Sequence, residues 1–120
     1  MIDRETLKEM FDSIAEQGQW DMSQPMLWGY FFTHSDPKRL HDVVPILQSR
    51  DYEFVDIFKS EEDDPAKAEL WWLHVQRVEV HSVDSLFARN EQLDDFARGQ
   101  RLASYDGMDV GPPDYPERLL

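Results

Sequence analysis

The stretches "YEFVDIFK" at 52–59, "SEEDDPAKAE" at 60–69 and "LWWLHVQRVEV" at 70–80 decide the fold. The first alternates: Val55 and Ile57 point one way, and Tyr52, Phe54, Asp56 and Phe58 the other. A period of two is the mark of a strand. The middle piece is a charged loop, and the third is a long strand. Strand, loop, strand with no helix between reads as a long β-hairpin rather than a helical crossover.

Upstream, "MLWGYFFTH" at 26–34 is dense in residues that favour strands. Leu27 and Phe31 fall on one side, and Trp28, Tyr30 and Phe32 on the other, so this strand is covered on both faces. Between it and the hairpin, Ser35 or Asp36 followed by Pro37 starts a helix, and Leu40, Val43, Val44 and Leu47 give its stripe. Pro45 removes a donor inside it and crowds the His41 carbonyl, which predicts a kink or an irregular last turn. Nearer the N-terminus, Leu7, Met10, Phe11 and Ile14 predict a helix over 4–17, with Asp3 as N-cap and Gly18 as its end.

Downstream, Ser82 caps a third helix. Its apolar side is Val83, Leu86, Leu93 and Ala97, widened by Phe87 and Phe96, and Gly99 stands where a C-cap glycine belongs. Asn90 lies within that apolar stripe; a buried amide needs partners, so it should tie the helix to a strand end or to a turn around Gly107. "LASYD" at 102–106 is a short last strand, followed by turns at Gly107 and Gly111 and the proline-rich "PPDYPERLL" at 112–120.

The order α-β-α-β-β-α-β contains the βαββαβ unit. The expected fold is α+β, a ferredoxin-like sandwich with an extra N-terminal helix and a four-stranded antiparallel sheet. One domain spans 1–120: an N-terminal helix and loop at 1–25, the ferredoxin-like core at 26–111 and a tail at 112–120. One sheet face is nominally open and would carry large aromatics. The N-terminal helix, a second copy of the chain in a homodimer, or both, are expected to cover it.

With 25 acidic against 12 basic residues, the formal charge is −13. That disfavours direct nucleic-acid binding, even though Trp28, Tyr30, Phe54 and Trp72 could in principle stack bases as in RNA-binding sheets of this topology. A core or interface role suits those aromatics better, and the charge suits a cationic protein partner. There are no cysteines, which removes disulfides, thiolate catalysis and zinc–sulfur sites. No apolar run spans a bilayer and the N-terminus lacks a signal core, so a cytoplasmic protein without membrane contact is expected.

Catalytic patterns are thin. His34, His41, His74 and His81 show no ligand spacing, and His74 and His81 point to opposite faces of one strand, so no metal or other cofactor is expected. Asp106 and Asp109, with Glu79 on a strand that could neighbour them, form the best carboxylate group. Aspartate before glycine more often binds its own turn than transfers protons. The eight serines lack a nucleophile-elbow setting, and no glycine-rich phosphate loop occurs. A non-enzyme is expected.

"WGYFF", "YEFVDI", "WWLHVQRVEVH", "SLFARN" and above all "YDGMDVGP" resemble the RraB family, regulators of ribonuclease activity that inhibit ribonuclease E. The similarity covers about Trp28 to Pro112. The resemblance implies a ferredoxin-like fold and action by binding a ribonuclease. The better-known regulators carry a long acidic extension, whereas the sequence here runs only to "PERLL" at 116–120. Partner-binding candidates are Glu61, Glu62, Asp63 and Asp64 in the charged loop, and Tyr105, Asp106 and Asp109 near the end. Two other readings fit a small acidic chain: an immunity or antitoxin-like protein that blocks a basic toxin nuclease, and a dimeric structural module without inhibitory role.

Overall fold

The computed structural model describes residues 2–18, 20–60 and 70–113. Its elements are α1 (Arg4–Gln17), β1 (Met26–His34), α2 (Pro37–Gln48), β2 (Glu53–Lys59), β3 (Trp71–Glu79), α3 (Val83–Gly99) and β4 (Ser104–Gly111). The strands form one antiparallel sheet in the order β2-β3-β1-β4. β1 and β3 are therefore central, and α2 and α3 each carry the chain across the sheet. This is an α+β fold in a broadly ferredoxin-like arrangement.

Local chemistry explains most element ends. The Asp3 carboxylate accepts from the Thr6 backbone N–H at 2.8 Å, and Asp36 does the same for Lys38 at 2.9 Å, just before Pro37. Ser82 and Ser85 bond reciprocally, each side chain accepting from the other's backbone N–H. Gly18 closes α1 in the left-handed region, φ 64°, with its N–H on the Ile14 and Ala15 carbonyls. α2 runs through Pro45 to Gln48, so the proline sits in the last turn and the helix ends within one turn of the bond lost at the His41 carbonyl. The end of α3 differs from expectation. Gly99 is still helical, and Arg101 takes the left-handed conformation instead, φ 59°.

Trp28, Tyr30 and Phe32 of β1, with Leu73 and Val75 of β3, are essentially fully buried beneath the helices. Leu40, Val43 and Leu47 of α2 and Leu86 and Leu93 of α3 close over them. Each such side chain contributes about 1.5–3 kcal/mol relative to exposure. α1 does not cover the open face, contrary to expectation. It packs beside α3, over the helix-covered side: the Phe11 ring stacks on Trp28 at 6.2 Å, and Arg4 lies 4.6 Å over the Phe87 ring. The widened apolar side of α3 supplies a ready seat there.

Two bulges overturn the simple alternation. In β2 the register shifts between Phe54 and Asp56, so Phe54 stands opposite Val75 and Ile57 opposite Leu73, on the helix side, while Asp56 and Phe58 face away. In β4 a shift against Phe31 and Phe32 absorbs Asp106, and Gly107 takes φ 139°. The expected turn at Gly107 is thus a bulge inside one continuous strand. No helix among the described residues is long and apolar enough to cross a membrane.

Asn90 is fully buried, as expected of a tie. Its carbonyl oxygen accepts from the Tyr105 hydroxyl at 2.6 Å, and its amide nitrogen lies 3.6 Å from the Met108 sulfur. It clamps α3 to β4 on both sides of the bulge. Asn90→Ala should lower the unfolding free energy in urea by about 2–3 kcal/mol, and Tyr105→Phe by about 1 kcal/mol. The double variant should lose less than the sum, because both changes delete the same bond; strict additivity would refute the clamp.

Candidate functional site

The sheet face away from the helices is built from alternate residues of all four strands. Phe31 of β1 faces His74 of β3, and Thr33 faces Trp72. Phe58 of β2 faces Trp72 from the other side. The rings form a continuous row: Phe58 and Trp72 are nearly parallel with centroids 6.4 Å apart, Phe31 meets Trp72 edge-on at 6.3 Å, and Phe31 stacks on His74 at 4.4 Å. Toward β4 the surface drops, because Gly107 stands opposite Phe31 and Gly29 opposite Asp109. An aromatic wall beside a glycine floor leaves a trough of about 580 Å³, lined by Phe31, Phe58, Trp72, Asp106, Gly107 and Ile2 among others.

A smaller hollow of about 310 Å³ lies over Gly29, between His74, Gln76 and Asp109. Any larger residue here would push neighbouring side chains aside. A Cβ at residue 29 would lie 2.3 Å from the Asp109 Oδ1 and 2.8 Å from the His74 Nε2. Both polar side chains therefore converge over the bare backbone of β1.

The expected site residues divide. Asp106 and Asp109 are exposed on β4, at the bulge and on the open face. Tyr105 turns inward to Asn90, and burial pushes its phenol well above the ordinary value. Glu61, Glu62, Asp63 and Asp64 lie outside the described residues. Glu79 does not join the aspartates: β4 pairs with β1, and the Glu79 carboxylate sits on the helix side. Nor do the four sheet aromatics share one face. Trp28 and Tyr30 are in the core, Trp72 is on the open face, and Phe54 is 37% exposed on the edge strand.

On the helix side, beyond the end of β3, a polar cluster went unread in the sequence. The Glu79 carboxylate accepts from the Tyr30 hydroxyl at 2.6 Å and pairs with Arg89 at 3.1 Å. His81 Nε2 lies 3.2 Å from the same carboxylate and 3.0 Å from the Tyr30 oxygen, while its Nδ1 is 2.9 Å from Ser85 Oγ. Arg89 donates to the Tyr52 hydroxyl at 2.6 Å. Burial acts to raise the Glu79 pKa, but hydrogen bonds from His81 and Tyr30 and the Arg89 charge together hold it below the ordinary value. Burial and the neighbouring Glu79 push the Tyr30 phenol far up. These groups satisfy one another and line neither hollow, so the cluster locks α3 onto the sheet. The signal was scattered over Tyr30, Tyr52, Glu79, His81 and Arg89, which no fixed spacing links.

A carboxylate with a depressed native pKa stabilises above its unfolded pKa and loses that contribution as pH falls. Glu79→Gln should therefore cost about 1–3 kcal/mol near neutrality. The gap to the native chain should shrink as pH drops below the ordinary value of 4.5. Parallel chemical denaturation of both chains across the acid range checks this; a constant gap would contradict it.

No curated protein matches the chain. The family model described as RraB, regulator of ribonuclease activity B, matches residues 4–110, from the start of α1 to within one residue of the end of β4. With nearly its whole length matched, the chain belongs to the RraB family of regulators of ribonuclease activity.

Proposed function

We propose that this chain binds a ribonuclease of the ribonuclease E kind and restrains its cleavage of RNA by protein contact, without catalysis of its own. The family match over 4–110 carries the reading. The charge of −13 supports it, because an enzyme that handles RNA presents cationic surface, and an acidic protein competes for that surface. The contact is made by Glu61, Glu62, Asp63 and Asp64 together with Asp106 and Asp109, the latter pair held by a strand that Tyr105 anchors from beneath. The cytoplasm, where RNA is processed, is the compartment this action requires.

Cleavage of a defined RNA by the purified ribonuclease tests the reading. The chain should slow cleavage, and less so as salt rises. Replacing Glu61, Glu62, Asp63 and Asp64 by their amides should weaken the effect about tenfold or more at low salt and flatten its salt dependence, since each rim charge contributes about 0.2–1 kcal/mol. Unchanged cleavage at saturating chain would refute it.

A further inference from the structure

We propose that the trough beside Phe31, Phe58 and Trp72 receives an arginine side chain from a basic segment of a protein partner, with Asp106 as its counter-charge. The inference rests on the reading above for the existence of a protein partner, and on the following geometry for its chemistry.

The wall is aromatic and half exposed: Phe58 is 37% accessible, and its ring runs within 9° of parallel to Trp72. Phe31 stands at 72° to Trp72, so the two meet as a corner rather than a flat surface. Opposite, Gly107 provides a floor without a side chain, and Asp106 stands at its rim because the bulge displaces it from the regular alternation. A planar cation fits such a place. Its apolar stem lies along Trp72 toward Phe58, and its guanidinium reaches Phe31, on the strand next to β4, where its N–H groups meet the Asp106 carboxylate. Lys59 also lines the trough, but it is on β2 and Asp106 on β4, the two outer strands of the sheet. Three strand spacings, about 14 Å, separate them, so Lys59 does not neutralise Asp106.

Charge also chooses between occupants. A second copy docked face to face would bring Asp56, Asp106 and Asp109 of each chain against the same acidic face of the other, with −13 on both. An isologous contact repeats every repulsion twice. A cationic segment meets the opposite field, and the aromatic row supplies the apolar contact.

Titration of the full ¹⁵N-labelled chain with acetylated hexa-arginine amide, followed by amide and indole correlation spectra, tests the site. The Trp72 indole and the Gly107 amide should be among the largest shifts. Asp106→Asn and Phe58→Ala should each weaken binding roughly 3- to 10-fold. Trp72→Ala should weaken it further and Trp72→Phe should restore most of it; the two surface variants keep the test decisive if Trp72→Ala does not fold. Glu16→Gln with Glu91→Gln, on α1 and α3, is the control for attraction to net charge and should bind as the native chain does.

Equal affinity in the Asp106 and Phe58 variants would overturn the proposal, as would shifts confined to the helix side. So would equal binding of hexa-citrulline, or a concentration-dependent dimer that produces the same open-face shifts without peptide. The titration contains no ribonuclease. A ribonuclease indifferent to the chain leaves its result standing, and failure of the titration leaves the ribonuclease reading to its own assay.

Discussion

Everything in this fold depends on how β1 is filled. Trp28, Tyr30 and Phe32 are fully buried on one side of it, and β3 and β4 bond to both of its edges. Three large aromatics in alternate positions leave space for no further bulk beneath the helices. They also carry two polar atoms into that space, the Trp28 indole N–H and the Tyr30 hydroxyl. Glu79 satisfies both, its backbone carbonyl accepting from the indole at 3.1 Å and its side chain from the phenol. The end of β3 is thereby committed to closing the core, and His81 and Arg89 follow because a half-buried carboxylate needs its own partners.

The two sides of the sheet consequently do different work. The helix side spends its polar groups on one another. The open side keeps its own around the trough: carboxylates on β2 and β4, and an aromatic row between. The glycines at 29 and 107 shape this difference, since they let side chains from neighbouring strands lean over β1 and leave β4 low.

Much of this was legible in the chain. Caps at Asp3, Asp36 and Ser82 and the glycine at 18 carry their own local chemistry, so the helix starts could be read directly. The hairpin at 52–80 followed from two strand patterns without an intervening helical stripe. What could not be read depends on partners far along the chain. The bulges at Val55 and Asp106 exist because one strand must fit another's register, and a lone sequence shows only the ideal alternation. The site of α1 depended on α3 presenting Phe87 to Arg4 and on the core presenting Trp28 to Phe11. The Glu79 cluster draws on four separate elements or their ends, and the turn chemistry of Asp106 and Asp109 gives way to pairing of β4 with β1 along both flanks of the bulge.

The bulge in β2 has a further effect on life in a crowded solution. β2 ends the sheet and shows Phe54, Val55 and Phe58 at 37–40% exposure, the composition of a sticky edge. A straight edge of that kind would template hydrogen bonding to any extended neighbour. With an extra residue at Val55 the donors and acceptors fall out of step halfway along, and an incoming strand can match only half of them at once. The defect therefore works against edge-to-edge pairing while the apolar side chains of β2 stay exposed.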